Sequence, residues 1–146
     1  MNNNKDKALF EKRQVSAFTS KGISSEHIYS LFIKEIKNSR LAGSILDYGS
    51  GVGLLTDLLL ETHNFTLITA ADLFDCPKHL EGEVAWIKGD LNNAIGINDS
   101  SFDVIVSSEV IEHLENPRFI AREWFRLLKP GGILLFSTPN NDSLRA

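Results

Sequence analysis

Apolar residues recur along this chain with two kinds of spacing, one typical of helices and one typical of buried strands. Between residues 25 and 38 they follow helical spacing, at Ile28, Leu31, Phe32 and Ile36. Beyond residue 44, short and almost continuous apolar runs alternate with longer amphipathic segments. Such runs are typical of parallel strands that helices bury on both faces. The pattern therefore predicts a domain in which strands and helices alternate.

The alternation predicts one domain over residues 1–146, with N-terminal helices in residues 1–40 and an α/β core in residues 44–138. Asn116 can cap a helix that begins at Pro117, and the turn Lys129–Gly132 should end that helix. The expected strands are residues 44–48, 66–71, 84–88, 102–107 and 133–137. The other expected helices are residues 25–38 and 52–62, with a looser one over 5–18.

Composition narrows the class of protein. The chain has 146 residues and a net charge of −4, which gives no broad basic surface for nucleic acid. The single cysteine, Cys76, cannot form an internal disulfide, which favours a reducing compartment. No apolar run approaches the length of about 20 residues that a membrane span needs. We therefore expect a cytoplasmic protein without a membrane span and without a nucleic-acid partner.

The most informative segment follows the first predicted strand. It reads Asp47-Tyr48-Gly49-Ser50-Gly51-Val52-Gly53, a D-x-G-x-G-x-G pattern that leads into a helix. Glycine permits positive φ and close approach of a ligand, and the helix start offers N–H groups and a partial positive charge. The dinucleotide fingerprint G-x-G-x-x-G places its third glycine one residue later. The spacing, together with Asp47, points away from NAD and towards a cationic nucleoside cofactor.

Polar residues also follow the next three predicted strands, at the rim where ligands bind in open parallel sheets. Asp72 ends the second strand and could accept hydrogen bonds from ribose hydroxyls, or could cap the next turn. Asp90 follows the third strand and could accept from an adenine amino group while Leu91 packs on the ring, or could belong to an ordinary Gly-Asp turn. Ser108 and Glu109 follow the fourth strand.

These motifs resemble those of the S-adenosylmethionine (SAM)-dependent methyltransferases of the seven-stranded class. The glycine loop, the Glu112-His113-Leu114 segment and the Leu128–Gly132 turn carry the resemblance. It implies a Rossmann-like, doubly wound parallel sheet of order 3-2-1-4-5 with helices on both faces, and SAM as cofactor with S-adenosyl-L-homocysteine as product. The implied cofactor-binding residues are Asp47, Gly49, Ser50, Gly51, Gly53, Asp72, Leu73, Asp90, Leu91, Ser108 and Glu109.

The resemblance also implies a reaction, the transfer of a methyl group to an O or N atom of a small molecule. The resemblance is most specific to the small-molecule O-methyltransferases, which include those of the ubiquinone pathway. His113 or Glu109 could remove the proton of the acceptor. Many enzymes of this class instead work by proximity alone.

An alternative interpretation comes from the spacing of Glu109, Glu112 and His113. In a helical turn all three would share one face and could bind a divalent metal, as in the small-RNA 2′-O-methyltransferases with an E-x-x-E-H arrangement. No histidine follows His113, so a matching fourth ligand is absent from the sequence. We therefore expect no metal, and we interpret Glu112-His113 as a signature of the cofactor pocket.

The sequence departs from the seven-stranded class at its end. That class has the order 3-2-1-4-5-7-6, whereas this sequence stops soon after the fifth predicted strand. An apolar strand at residues 133–137 would leave unpaired backbone groups at an edge. We expect a fragment of a longer enzyme, self-association through this edge, or cover by the N-terminal segment. A fragment could bind the cofactor and lack activity of its own.

Overall fold

Strands and helices alternate along the part of the chain that the computed structural model describes, which is Lys7, Glu11 and residues 26–140. The elements are α1 (Glu26–Asn38), β1 (Gly43–Tyr48), α2 (Leu54–Thr62), β2 (Phe65–Asp72), β3 (Ala85–Lys88), β4 (Phe102–Ser108), α3 (Pro117–Leu127) and β5 (Leu128–Ser137). Short 3₁₀ turns occupy Lys78–Leu80 and Ile111–His113. The predicted helix over 5–18 lies outside the described residues, except for Lys7 and Glu11, which are helical.

The strands form one parallel sheet of order β3-β2-β1-β4-β5, which confirms the predicted fold class. β1 lies in the centre, and Ser44 through Tyr48 are all buried. Its continuous apolar character follows from this position, since helices cover both faces of a parallel sheet. The carboxyl ends of β1, β2 and β4 therefore meet at one rim.

Each face of the sheet has its own apolar core. On one face, α1 and α2 pack their buried residues Tyr29, Phe32, Ile36, Leu55 and Leu59 against β1 and β4. On the other face, α3 packs Ile120, Trp124 and Leu127 against the sheet. The rings of Trp124 and Tyr48 meet edge to face there, with centroids 5.7 Å apart. In the described part of the chain, no helix has both the length and the apolar character required to cross a membrane.

The beginning of β5 differs from the predicted bounds, because β5 begins at Leu128 rather than at residue 133. α3 ends at Leu127, so the helix ends just before Lys129–Gly132, as the sequence predicts. Phe102 pairs with Leu128 and Val104 pairs with Ile133, so the intervening segment opposes the single residue Asp103. These extra residues form a bulge within β5, and Gly131 in it has a φ of 79° directly after Pro130, as in a type II turn. A Cβ on Gly132 would lie 2.9 Å from the Lys129 carbonyl oxygen, so the bulge requires glycine there.

β5 is the edge strand of the sheet within the described residues. Its side chains are more exposed than those of β4, with Ile133 42% and Phe136 49% exposed. Phe125 of the adjacent helix α3 is 84% exposed. Apolar side chains and an open hydrogen-bonding edge therefore lie side by side.

Candidate functional site

The glycine loop joins β1 to α2 at the rim of the sheet. Gly49, Gly51 and Gly53 have φ values of 85°, 55° and 89°, where residues with a Cβ are strained. A Cβ on Gly49 would lie 2.3 Å from Val110 Cγ2, and a Cβ on Gly53 would lie 2.4 Å from Leu80 Cδ1. Both conformation and neighbouring side chains therefore require glycine at these two positions.

Backbone hydrogen bonds fasten the glycine loop to the end of β2. The amides of Gly49 and Ser50 donate to the Ala71 carbonyl at 2.8 and 3.1 Å, and the Ser50 hydroxyl donates to the same oxygen at 3.2 Å. Ser50 is 5% exposed, so its side chain shapes the loop. Gly53 occupies the cap position of α2 without a side-chain capping bond, so the positive end of α2 faces the rim.

Asp47 lies beneath this loop with 1% of its surface exposed. Its Oδ2 accepts a hydrogen bond of 2.6 Å from the Thr56 hydroxyl on α2. Burial raises the pKa of Asp47 to about 7; the Thr56 hydrogen bond opposes this rise, and the charge of Asp72 adds to it. The partner of the carboxyl is thus a side chain of the helix that follows the loop. A nearby cation would favour its ionised form.

Asp72 connects the glycine loop to the turn after β2. Its Oδ2 accepts from the Gly51 amide at 2.8 Å, and its Oδ1 accepts from the Phe74 amide at 3.1 Å. The hydrogen bond from the Phe74 amide is the turn cap that the sequence offered as the alternative to ribose binding. A carboxylate has about four acceptor positions, so two N–H bonds leave capacity for ribose hydroxyls. Leu73 follows directly and is half-buried.

Asp90 and Leu91 differ in what they present to the rim. Asp90 Oδ1 accepts from the amide and the side-chain nitrogen of Asn92, at 3.0 and 2.9 Å, as in an ordinary aspartate turn. Leu91 is 6% exposed and belongs to the apolar core, and its carbonyl accepts from the Tyr48 hydroxyl at 2.9 Å. Its side chain therefore leaves little surface for the stacking on an adenine ring that the sequence suggested.

The end of β4 carries a strained backbone. Glu109 has a φ of 53°, which is uncommon for a residue with a side chain and is often found at functional sites. Its amide donates to the Ser137 carbonyl at 3.0 Å, and this bond ties the end of β4 to the end of β5. The hydroxyls of Ser108 and Ser137 lie 3.3 Å apart. Ser108 and Glu109 are thus fixed at the rim by the edge strand.

The three residues of the alternative metal site do not share a helical face. Only Ile111–His113 form a 3₁₀ turn, and Glu109 lies before it with a left-handed backbone. Glu112 and His113 are both exposed. Among residues 26–140, Lys7 and Glu11, no three His, Cys, Asp or Glu side chains are grouped so that they could hold a metal ion.

Carboxyl groups lie at or just beyond the carboxyl ends of four of the five strands, namely those of Asp47, Asp72, Asp90 and Glu109. Carboxylates accept hydrogen bonds and attract cations. A ligand that offers hydroxyl, amino and cationic groups fits this set, whereas the pyrophosphate of a dinucleotide would face like charges. The residues present therefore fit SAM, which combines a sulfonium, an ammonium, a ribose and an adenine amine.

Sequence reasoning missed two residues that support the site. Thr56 binds Asp47, and no local pattern distinguishes it from Thr62, the other threonine of α2. Leu80 fills the space beside Gly53, and no local pattern distinguishes it from any other buried leucine. Both contacts join segments that are distant in sequence.

The fold and the rim define a doubly wound α/β domain whose ligand site lies at the carboxyl ends of its strands. Residues 23–146 match the family described as a methyltransferase domain. The chain therefore belongs to the class I SAM-dependent methyltransferases.

Individual relatives support this assignment. A ubiquinone biosynthesis O-methyltransferase from Nitrosococcus oceani is 35% identical over 123 residues, which cover 77% of this chain and 51% of that protein. Its mitochondrial counterpart from Dictyostelium discoideum is 29% identical over 117 residues, which cover 69% and 36%. A crystal structure from Methanococcus maripaludis, described as a SAM-dependent methyltransferase, matches with a TM-score of 0.67 and 28% identity over 84% of this chain and 62% of that one. The chain spans about half or less of the two curated relatives.

Proposed function

We propose that this chain binds SAM at the rim of its sheet and belongs to an enzyme that transfers the methyl group to an O or N atom of a small molecule. The observation that carries the proposal is the row of carboxyl groups around the glycine loop. The negative charge of this row complements a cationic nucleoside and would repel the pyrophosphate of a dinucleotide. The relatives from Nitrosococcus oceani and Dictyostelium discoideum, both named ubiquinone biosynthesis O-methyltransferases, support an O-acceptor.

Each part of the rim has a role in the proposal. Asp72 accepts hydrogen bonds from the ribose hydroxyls, because the hydrogen bonds that it accepts from two backbone amides leave other acceptor positions unused. Asp47, buried beneath the loop, acts on the amino acid end of the cofactor through its charge, and Asp90 accepts from the adenine amine. Leu73 provides apolar contact, and Leu91 supports this part of the rim from the core. The backbone of Gly49, Ser50, Gly51 and Gly53 allows the cofactor to approach closely.

The bound SAM supplies an electrophilic methyl group on its sulfonium. The chain has to orient the acceptor towards that methyl and exclude water. Ser108 and Glu109 line the methyl side in this proposal, held in place by Ser137. Glu109 or His113 removes the acceptor proton. His113 lies on an exposed turn, so it can reach an acceptor that approaches from solvent.

Two alternatives to this proposal differ in the methyl acceptor or in whether the chain is active. A metal-assisted enzyme acting on RNA has less support, because Glu109, Glu112 and His113 lie on no common helical face. A SAM-binding module without activity of its own is the other alternative, since the chain spans at most about half of its curated relatives. The cytoplasmic location stays a prediction from the single cysteine, and one relative is named as mitochondrial.

Calorimetric titration with S-adenosyl-L-homocysteine and with NAD tests the cofactor site. We expect binding of the first ligand only, and at least tenfold weaker binding by Asp72→Ala, because hydrogen bonds to a charged group contribute about 1.5–3 kcal/mol each. Asp75→Ala is the matched control, since Asp75 lies in the same connection with 84% of its side chain exposed. Equal binding by a folded Asp72→Ala variant, or preference for NAD, would exclude the proposed site.

A further inference from the structure

The connection from β2 to β3 packs against the glycine loop through a segment that we call the clamp, Pro77–Glu81. The clamp contains the 3₁₀ turn Lys78–Leu80. Leu80 within it is 0% exposed, and its Cδ1 occupies the space that a Cβ of Gly53 would fill, 2.4 Å from that ideal position. The leucine can sit there only because residue 53 is glycine. The last glycine of the loop and the clamp therefore fit each other directly.

A second contact holds the same two segments together. His79 Nε2 lies 3.0 Å from Asp57 Oδ2, and the Asp57 amide donates to the Gly53 carbonyl at 2.9 Å. Asp57 thus joins the glycine loop through its backbone and the clamp through its side chain. Both side chains are partly exposed, at 52% and 37%, so this pair adds little to global stability. Its effect is local, on the first turn of α2.

Backbone hydrogen bonds hold the conformation of the clamp. The Leu80 amide donates to the Pro77 carbonyl at 2.9 Å, and the Glu83 amide donates to the Leu80 carbonyl at 3.0 Å. At the other end of the same connection, Asp72 binds the Gly51 amide. One connection therefore holds the glycine loop at two points, Gly51 and Gly53. Motion of the clamp would therefore displace both the backbone of the glycine loop and the N-terminus of α2.

We propose that His79 and Leu80 are positioning residues, which hold the glycine loop in its cofactor-binding conformation without touching the cofactor. This inference rests on the proposed cofactor site. It assigns a role in cofactor affinity to a partly exposed hydrogen-bonded pair, His79 and Asp57, that contributes little to folding. Because His79 acts through Asp57, the effects of changing the two residues are coupled.

The test combines S-adenosyl-L-homocysteine affinity with hydrogen exchange of the glycine-loop amides. We expect His79→Ala and Asp57→Ala each to weaken binding by about three- to tenfold, and the double variant to weaken it no further. His79→Gln keeps a side-chain donor and should retain most of the affinity. Without ligand, amides 49–56 should exchange faster in His79→Ala, while the melting temperature stays nearly constant.

Lys88→Ala is the matched control, because it breaks another exposed side-chain contact of the same connection, the ion pair between Lys88 and Asp75, 2.8 Å long. It should change neither affinity nor exchange. Unchanged affinity and unchanged loop exchange in a folded His79→Ala variant would overturn the inference, as would additive effects in the double variant. If the parent chain does not bind the ligand at all, the cofactor site fails, and faster loop exchange in His79→Ala still shows that the clamp orders the loop.

Discussion

At the residue scale, Asp47 is a carboxyl group held almost out of contact with water. Burial raises its pKa from 3.8 to about 7, with the Thr56 hydrogen bond opposing this and the charge of Asp72 adding to it. The folded state therefore holds this proton more tightly than the unfolded state does. Between about pH 4 and pH 7 the folded state binds more protons, so stability falls as the pH rises through that window.

The substitution Asp47→Asn should remove this loss of folding stability at higher pH. Asparagine carries no charge to bury, and its Oδ1 can still accept from the Thr56 hydroxyl. We expect the free energy of unfolding at pH 8 to rise by about 1–3 kcal/mol relative to the parent chain, with the difference shrinking below pH 5. Urea unfolding at a series of pH values measures this. Parallel pH profiles of variant and parent would show that Asp47 is ionised without penalty.

Gly49 shows how one position can combine backbone strain with a steric limit. Gly49→Ala would place a Cβ at a φ of 85° and 2.3 Å from Val110. Gly82→Ala has a similar φ of 82° but no atom within 4 Å of the added Cβ. Denaturant unfolding should show a loss of about 1 kcal/mol for Gly82→Ala and about 3 kcal/mol for Gly49→Ala. Equal losses would mean that the contact with Val110 has no effect.

Local sequence patterns predict some residues of the candidate site and miss others. The glycines and the acids after each strand are visible in the sequence, because strand ends and glycine spacing are local patterns. Thr56, His79 and Leu80 are invisible there, since each acts on a partner across the β1–α2 or β2–β3 connection. The burial of Leu91 is likewise decided by Tyr48 and the core, and not by its neighbours in sequence.

At the element scale, β5 shows that a turn-like segment can lie inside a strand. Lys129-Pro130-Gly131-Gly132 has turn composition, and the segment forms a bulge within β5 beside Asp103. Asp103 Oδ2 accepts from Lys129 Nζ at 2.8 Å and from the Ser44 amide at 2.8 Å. These bonds join β1, β4 and β5 at the end of the sheet opposite the rim. The apolar runs predict the order of the elements, but only the pairing of Leu128 with Phe102 shows that β5 begins before the bulge.

The bulge should respond to acid through Asp103. The hydrogen bond from Lys129 and those from Ser44 lower its pKa from 3.8 to about 2. Its contribution to stability is thus present above about pH 4 and is lost as the pH falls towards 2. The pair is partly exposed, so Lys129→Ala should lower the free energy of unfolding by about 1 kcal/mol or less at pH 7 and have almost no effect at pH 2.

Chemical unfolding of Lys129→Ala and of the control Lys88→Ala, each at both pH values, measures this contribution. Lys88 pairs with the highly exposed Asp75, so its loss should change stability little at either pH. A loss of stability in Lys129→Ala that is the same at pH 2 and pH 7 would show that the lysine acts through packing rather than charge.

At the scale of the whole molecule, the β5 edge is the feature that most affects behaviour in solution. Ile133 and Phe136 are exposed beside a strand with one open side in the described part of the sheet. Open apolar edges promote pairing with another strand. We expect the 146-residue chain to self-associate through this edge as its concentration rises.

Ile133→Lys should shift that association towards monomer, because it places a charge on the edge strand. Leu67→Lys is the matched control, since Leu67 is 50% exposed but lies on the interior strand β2. Sedimentation velocity over a concentration series measures both variants. A parent chain that stays monomeric throughout, or an equal effect of Leu67→Lys, would contradict association through β5.

The central claim is that the cofactor lies at the carboxyl rim of the sheet. Backbone amide NMR of the labelled chain, with and without S-adenosyl-L-homocysteine, tests it most directly. We expect the largest shift changes at residues 49–53, 72–74, 90–92 and 108–110, and little change in the groove between α1 and α2 around Lys34 and Leu58. Changes centred on that groove, or none at saturating ligand in a folded chain, would contradict the claim.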